Sequence, residues 1–256
     1  MLIAAVIMLG LVVGSFLNVV IHRVPVMLNQ DSGAGVLTLA WPRSHCPHCK
    51  HTLRWYELIP LLSFCLQSGR CRHCAATIAW RYPAVEAIYA VLALVCYLQF
   101  GLSVDGGFYC LFFAITLSLW VIDYRHQLLP DCLTLSGLWL GLLYSTVGDH
   151  IAPSESILAA ASAYVLLRVV GDLYALLRRQ TGMGGGDMKL LAMLGAWFGS
   201  HVLFILMAGV SLALVVSLGR FFSRQLKWQQ AVAFGPFLIV VSWLWVWFAA
   251  ALPDWL

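Results

Sequence analysis

Two aspartates beside long apolar segments are the side chains of this sequence best suited to hydrolytic chemistry. Asp123 directly follows the apolar run that ends at Val121-Ile122, and Asp187 follows the three glycines at 184–186. The chain has only 11 carboxylates in all. Charged groups beside membrane-spanning segments are costly, so they are functional candidates by default.

Two such carboxylates could work as a pair. Like charges close together cannot both ionise, so the pair holds one proton. The ionised member can take a proton from water as general base, while the protonated member donates to the peptide carbonyl or the leaving amine. The glycines before Asp187 would let a substrate backbone come close, and they permit positive φ.

Each aspartate also has a purely structural interpretation. Asp187 could be the N-cap of the helix that follows it, and Asp123 could be a solvated charge at a helix end. For Asp131, which directly follows Pro130, a helix cap is the preferred interpretation. The residues alone therefore do not decide whether Asp123 or Asp131 would partner Asp187.

A second constellation consists of four cysteines, Cys46-Pro-His-Cys49 and, 21 residues later, Cys71-Arg-His-Cys74. Two such pairs are typical of a structural zinc site with four thiolate ligands and no open position. Disulfides are the alternative, and a location in the reducing cytoplasm disfavours them. The nearby histidines are expected to be solvated neighbours, and the remaining cysteines small buried hydrophobes. They are His45, His48, His51 and His73, and Cys65, Cys96, Cys110 and Cys132.

The composition of the chain indicates which kind of secondary structure must position the aspartates and the cysteines. Hydrophobic residues make up 62% of the chain and charged residues 10%, against about 25% charged in soluble domains. Continuous apolar runs predict an all-α integral membrane protein with about eight transmembrane helices. The predicted spans are 1–21, 84–100, 108–122, 132–147, 156–177, 188–200, 202–218 and 231–252.

The basic residues predict the orientation. The 15 Lys and Arg all fall between spans one and two or around the loops after spans three, five and seven. Cytoplasmic loops carry such an excess, so both termini are expected outside and both aspartates at the cytoplasmic boundary. The segment 190–218 is short for two full crossings, which predicts a thinned or water-lined hairpin with arms of about 14 residues.

The expected organisation is a first transmembrane helix at 1–21, a cytoplasmic zinc-binding region at 22–83 and a polytopic domain at 84–256. Residues 29–38 are predicted to form a flexible loop, and no internal repeat stands out. The glycine run matches no phosphate-binding pattern, and no Gly-x-Ser-x-Gly elbow occurs. Nucleic acid is not an expected partner.

Six segments spread along the chain carry a further pattern. They are Gly14-Ser-Phe-Leu-Asn-Val-Val-Ile-His-Arg-Val-Pro25, Ile59-Pro-Leu-Leu-Ser-Phe64, Gly69-Arg-Cys-Arg-His-Cys74, Asp123 to Leu-Leu-Pro-Asp131, Gly184-Gly-Gly-Asp187-Met-Lys189 and Phe234-Gly-Pro-Phe237. These segments resemble those of type IV prepilin peptidases, in the family's order from the first span to the last. That family belongs to the Gly-x-Gly-Asp class of membrane aspartic proteases.

The resemblance implies that Asp123 and Asp187 are the catalytic pair, with support from Gly184, Gly186, Lys189 and Asp131. The implied substrates are type IV prepilins or type II secretion pseudopilins in a bacterial inner membrane. Cleavage would follow a glycine and remove a short basic leader at the cytoplasmic face. Relatives with the cysteine-bearing loop usually also methylate the new N-terminus with S-adenosylmethionine, although no residue here can be assigned to that cofactor.

Three hypotheses follow from these patterns. The first is a peptidase that is also a methyltransferase. The second is a peptidase alone, in which the zinc loop stabilises the fold or grips the substrate. The third is a non-enzymatic transporter or assembly scaffold.

Overall fold

The computed structural model describes residues 1–28, 38–148, 150–178, 184–223 and 233–251. Almost all of the loop predicted at 29–38 lies outside these residues, as do Arg179, Arg224 and Lys227 of the charge pattern. The described helices are α1 (Leu2–Leu28), α2 (Leu62–Leu66), α3 (Arg81–Phe100), α4 (Val104–His126), α5 (Asp131–Val147), α6 (Pro153–Arg178), α7 (Gly185–Phe198), α8 (Val202–Phe222) and α9 (Gly235–Ala251). Short 3₁₀ helices occupy Trp55–Leu58 and Gly199–His201.

The all-helical prediction is confirmed for the described residues, which contain no strand beyond two isolated bridges. Each predicted span overlaps one long helix. Among the described residues, five helical segments are long and apolar enough to cross a membrane, and one of them comprises α7 and α8 together. Helices α5 and α9, at 17 residues each, are shorter. The number of crossings therefore stays a prediction.

The chain forms two compact units, Met1–Ser118 and Leu119–Leu256. In the first unit, α1 and α3 are in very close contact at two glycines. A Cβ on Gly10 would lie 2.8 Å from Cα of Ala90, and one on Gly14 would lie 2.8 Å from Cα of Glu86. Small residues four apart are a common device for bringing membrane helices together. Asn18 of α1 also donates to the carbonyl of Tyr82, at 3.0 Å.

Two buried charged side chains attach the segment between α1 and α3 to these helices. Arg23 donates to the carbonyls of Thr38 and Leu39, at 2.7 and 3.1 Å, and also to that of Pro42. Glu86 accepts the backbone N–H of Leu61 at 2.9 Å. Because each charge binds backbone groups that would otherwise lack partners, it offsets part of the cost of its own burial.

The second unit is built around α7. The side chains from Leu190 to Phe198 are all buried. Helices α7 and α6 approach closely at Gly195, where a Cβ would lie only 2.8 Å from the carbonyl oxygen of Ala159 in α6. Trp197 donates its indole N–H to the carbonyl of Gly137 in α5, at 2.8 Å.

The hairpin prediction is correct for one arm only. Helix α7 has 14 residues, but α8 has 21. The turn between them begins at Gly199, whose φ of 56° suits glycine, and Glu155 accepts the backbone N–H of Ser200 at 3.0 Å. A short arm is tolerable for α7 because protein, rather than lipid, surrounds it.

Candidate active site and cysteine cluster

Asp123 is a buried carboxylate near the C-terminal end of α4. Its side chain lies beside apolar neighbours and is only 4% exposed. Its Oδ2 has no hydrogen-bond partner among the described residues. A buried, unsatisfied carboxylate oxygen is destabilising, so its retention calls for an explanation. The interpretation of Asp123 as a solvated charge at a helix end is therefore wrong.

Gly235, the first residue of α9, gives the position of Asp123 relative to α7. A Cβ on Gly235 would lie 2.5 Å from Oδ2 of Asp123 and 3.3 Å from Cδ2 of Leu190. Both side chains therefore border the same point in space. Leu190 lies about one helical turn after Asp187 on α7, and Asp187 interacts electrostatically with Asp123. The structure thus brings the end of α4, the start of α7 and the start of α9 together.

Asp187 is the third residue of α7 and is half-buried. The N-cap of this helix is Gly184, and no side chain caps it. The N-cap interpretation of Asp187 is therefore wrong. A carboxylate in the first turn is still stabilised by the helix dipole, which helps to hold an acidic group beside apolar surroundings.

Two glycines before Asp187 have different local roles. A Cβ on Gly186 would lie 2.8 Å from Cβ of Leu129, so this glycine allows α7 to begin against the α4–α5 connection. At Gly184, a Cβ would come no nearer than 3.8 Å to Oδ2 of Asp187. Gly184 has φ −70°, and neither Gly185 nor Gly186 has positive φ. The expected need for positive φ is thus not found at 184–186.

Asp131 is bound by Lys189 rather than by a helix terminus. Pro130 is the N-cap of α5 and no side chain caps that helix, so the capping prediction for Asp131 is wrong. Lys189 of α7 donates to both carboxylate oxygens of Asp131, at 2.7 Å each. The side chain of Asp131 is 60% exposed. Asp131 and Asp123 are the two candidate partners for Asp187. Asp131 already forms an ion pair with Lys189, whereas Oδ2 of Asp123 has no hydrogen-bond partner among the described residues.

The four predicted cysteine ligands converge in the first unit. Their sulfurs all lie within 4.8 Å of one another, and the sulfurs of Cys46 and Cys74 are 3.8 Å apart. A tetrahedron with Zn–S bonds of about 2.3 Å has edges of about 3.8 Å. The set therefore fits a tetrahedral metal ion. All four are free thiols. The backbone N–H of Cys49 lowers the pKa of the Cys46 thiol to about 6, whereas, despite the backbone N–H of Ala76, desolvation and the neighbouring thiols raise the pKa of Cys74 to about 11.

The two cysteine pairs have the same backbone fold. The N–H of Lys50 donates to the carbonyl of Cys46, and that of Ala75 donates to the carbonyl of Cys71, both at 2.9 Å. Lys50 and Ala75 share the left-handed conformation, with φ of 58° and 55°. A short structural repeat is therefore present, although no internal repeat stands out in the sequence.

Several cysteine and histidine predictions need correction. Cys96 is buried as predicted, but Cys65 and Cys132 are exposed. His51 is not simply solvated, because its ring stacks on His73 with centroids 3.5 Å apart. Its Nε2 is buried without a hydrogen-bond partner among the described residues. Neither histidine belongs to the ligand cluster.

Known proteins match nearly the whole chain. A "Prepilin leader peptidase/N-methyltransferase" from Stutzerimonas stutzeri is 39% identical over 254 residues, which cover 92% of this chain and 87% of the relative. The chain belongs to the type IV leader peptidase family. Relatives with the same name are 39% identical in Burkholderia pseudomallei strain 1026b and 38% identical in Pseudomonas aeruginosa. Each match covers 93% of this chain, and 82% and 87% of the respective relative.

The family models divide this leader peptidase family member into two regions. The model "Bacterial Peptidase A24 N-terminal domain" matches residues 8–100, which include the cysteine cluster. The model "Type IV leader peptidase family" matches residues 110–218, which include both aspartates. No solved structure matches the chain.

Sequence reasoning missed the site role of Gly235 in this family member. Its motif, Phe234-Gly-Pro-Phe237, carried only a family resemblance, and no local pattern connects it with Asp123. The cleft between Tyr144, His150 and Trp197 has no room for even a water-sized molecule. We assign it no cofactor.

Proposed function

We propose that this protein is a membrane aspartic endopeptidase that cleaves prepilins or pseudopilins, with Asp123 and Asp187 as its catalytic pair. The observation that carries the proposal is the buried Oδ2 of Asp123, which has no hydrogen-bond partner in the part of the chain that the structure describes and lies beside the helix that presents Asp187. The names of the relatives supply the substrate class, since they are prepilin leader peptidases.

The proposed chemistry needs no covalent enzyme intermediate. The ionised aspartate takes a proton from water as the water oxygen attacks the scissile carbonyl carbon. The protonated aspartate donates its proton to the carbonyl oxygen, which gives a neutral tetrahedral diol. Collapse of this diol breaks the C–N bond: the first aspartate, which now carries the water's proton, donates it to the leaving nitrogen, and the second aspartate takes a proton from a diol hydroxyl as the carbonyl re-forms.

The contacts around the two aspartates indicate different roles for the residues beside them. Gly235 leaves space beside Oδ2 of Asp123, and Gly186 lets α7 begin against Leu129. The ion pair of Lys189 with Asp131 connects the second turn of α7 to the first residue of α5. We assign Lys189 and Asp131 to positioning, because their charges satisfy each other. Gly184 stays a proposed supporting residue.

We place the pair at the cytoplasmic boundary of a bacterial inner membrane, with eight crossings, both termini in the periplasm and residues 22–83 in the cytoplasm. The distribution of basic residues supports this orientation. A short basic leader that stays in the cytoplasm would then bring its cleavage site to the depth of the aspartates.

The cysteine cluster is proposed to bind a structural zinc ion. Four sulfurs leave no open position for catalysis, and the ion would stabilise a segment that lacks a large core of its own. The cluster bridges two backbone hairpins of the same form, so one ion would hold both in place.

We also propose N-methylation of the new N-terminus, with S-adenosylmethionine as the methyl donor. The relatives' names support this second activity, and no residue of this chain is assigned to it. A labelled methyl group transferred to a cleaved substrate would separate this proposal from a peptidase without methyltransferase activity. The scaffold alternative is tested by the aspartate variants, because it expects function to survive them.

The test is cleavage of a prepilin by purified protein in liposomes, with wild type compared with Asp123→Asn and Asp187→Asn. Both variants should stay folded and inserted while losing cleavage. Each substitution replaces a carboxylate by an amide of nearly the same shape, so the loss would report acid–base chemistry rather than packing.

A further inference from the structure

Two cysteines outside the ligand cluster face each other across α3 and α4 in the first unit. The thiol of Cys96 on α3 is buried and donates to the carbonyl of Gly106 on α4, at 3.3 Å. It is also in hydrogen-bond contact with the backbone N–H and the thiol of Cys110. The N–H of residue 110 and the carbonyl of residue 106 are partners within an α-helix, so both contacts place the Cys96 sulfur at the same point of α4, beside the Cys110 side chain. Both cysteines are free thiols in the structure.

The packing of the two helices gives the same pairing independently. Only three residues separate α3 from α4, and the helices are antiparallel because their contacts continue away from this turn. A Cβ on Gly106 would lie 3.5 Å from Cβ of Phe100, the last residue of α3. One turn back along α3 and one turn forward along α4 are Cys96 and Cys110, each four residues away and on the same side of its helix. Tyr89, two turns further back in α3, donates its hydroxyl to the carbonyl of Cys110 at 3.1 Å.

The charge pattern favours the periplasmic side of the membrane for this cysteine pair. The sequence has no Lys or Arg between Arg81 and Arg125, so the α3–α4 turn carries none of the basic residues typical of cytoplasmic loops. Cys96 is four residues before the end of α3 and Cys110 is six residues after the start of α4, about 6 and 9 Å from the turn along the helix axes. Disulfides form and persist in the bacterial periplasm but are rare in the cytoplasm. In the proposed orientation, this pair and the four metal-binding cysteines therefore face opposite redox environments.

We propose that Cys96 and Cys110 form a disulfide that joins α3 to α4, with a periplasmic thiol–disulfide oxidoreductase as the oxidant. The half-buried Cys110 is the more accessible thiol, so its thiolate attacks the disulfide of the oxidoreductase and forms a mixed disulfide. The thiolate of Cys96 then attacks the Cys110 sulfur and releases the oxidoreductase as a dithiol. Together the two cysteines lose two electrons and two protons, which reduce the disulfide of the oxidoreductase. The proposal rests on the proposed orientation and does not depend on the peptidase activity.

The experiment compares full-length protein from cells that contain or lack periplasmic thiol–disulfide oxidoreductases. Cells are quenched in acid, the protein is denatured, and its free thiols are blocked with N-ethylmaleimide. Because no Lys or Arg lies between Arg81 and Arg125, trypsin releases both cysteines in the single peptide 82–125. From cells that contain the oxidoreductases, mass spectrometry should find no maleimide on this peptide before reduction and two after reduction and relabelling. From cells that lack them, the peptide should carry two maleimides from the outset.

Two variants separate the disulfide from the orientation on which it rests. Cys96→Ser should leave one maleimide on the peptide with or without reduction, because a single thiol cannot close the bond. Leu102→Cys, at an exposed position of the turn and combined with Cys96→Ser and Cys110→Ser, should react with a membrane-impermeant maleimide in spheroplasts. Two maleimides on the wild-type peptide before reduction, with Leu102→Cys labelled from outside, would overturn the disulfide and leave the orientation intact. Failure to label Leu102→Cys from outside would overturn both.

Discussion

Lys189 donates to both carboxylate oxygens of Asp131, at 2.7 Å each, and so connects the second turn of α7 to the first residue of α5. This contact distinguishes Asp131 from Asp123, a choice that the sequence alone left open. Asp131 is exposed and paired, whereas Asp123 is buried and has an unsatisfied oxygen. An aspartate that is available for proton transfer should be the one whose charge is not already neutralised by a lysine.

We expect the Lys189–Asp131 pair to affect positioning rather than chemistry. Exposed ion pairs contribute about 0.2–1 kcal/mol, so Asp131→Asn and Lys189→Gln should reduce the cleavage rate by less than about tenfold. Because the two side chains act together, the double variant should be little worse than either single one. Cleavage rates of all three variants in liposomes measure this.

The ion pair of Arg168 with Asp172, within α6, is the matched control for that series. Its double variant, Arg168→Gln with Asp172→Asn, should leave the cleavage rate near that of wild type. A complete loss of cleavage in Asp131→Asn, with normal insertion, would contradict the positioning role and return Asp131 to the list of catalytic candidates.

Gly235→Ala should displace the carboxylate of Asp123. The new methyl group would lie 2.5 Å from Oδ2, closer than any real Cβ contact, so the carboxylate or α9 must move. We expect the cleavage rate to fall by about 10²-fold or more, the range associated with loss of a positioned acid or base. Gly219→Ala on α8, where a Cβ would meet nothing within 4 Å, provides the control. Equal rates in the two variants would show that Gly235 has no role at the site.

The three glycines before Asp187 should differ in tolerance. Gly186→Ala would push a methyl group to 2.8 Å from Cβ of Leu129, whereas Gly185→Ala would meet nothing within 4 Å. We expect Gly186→Ala to lower both the cleavage rate and the thermal midpoint, and Gly185→Ala to leave them unchanged. Alanine favours helix by up to about 1 kcal/mol over glycine, so a small gain in the midpoint of Gly185→Ala is also consistent. Damage by both variants alike would contradict the packing explanation.

Metal binding by the four-cysteine cluster should depend on pH. The pKa of the Cys46 thiol is lowered to about 6 from an ordinary value of 9.0 by the backbone N–H of Cys49. The Cys46 thiolate is therefore favoured at neutral pH, whereas the Cys74 thiol, whose pKa is raised to about 11, must lose its proton when it binds metal. Protons compete with the ion for all four thiolates, so we expect zinc release to increase as pH falls below neutrality. Metal analysis after dialysis at a series of pH values measures the release.

Cys46→Ser should lose the metal, and Cys65→Ser should keep it. Cys65 is exposed and lies outside the ligand cluster, so the comparison isolates the role of a ligand. Purified wild-type protein with no bound metal, or with a disulfide between the two cysteine pairs, would contradict the proposed zinc site.

Much of the fold was predictable because long apolar segments that cross a membrane fold mainly as helices, which satisfy their own backbone hydrogen bonds. The cysteine cluster was predictable because two CxxC pairs form ligand geometry locally. The choice between Asp123 and Asp131 was not predictable from spacing. It depends on Lys189 and Gly235, which are distant in sequence and contact these aspartates only after the helices pack.

His51 and His73 also form a contact that could not be predicted from the sequence. Residue type suggested solvated side chains beside the cysteines, but the fold stacks His51 on His73, and no sequence period relates those two positions. The shared backbone of the two cysteine pairs, by contrast, has a sequence signal, because the pattern Cys-x-His-Cys-x-x-Thr occurs at 46–52 and again at 71–77.

The most direct test of the catalytic pair is a cleavage assay with a prepilin in liposomes. It compares wild type with Asp123→Asn, Asp187→Asn and Asp131→Asn, all with insertion verified. We expect the first two variants to lose activity by about 10²-fold or more, and Asp131→Asn to keep most of it. Substantial cleavage by Asp123→Asn or by Asp187→Asn would contradict the assignment of these two aspartates as the catalytic pair.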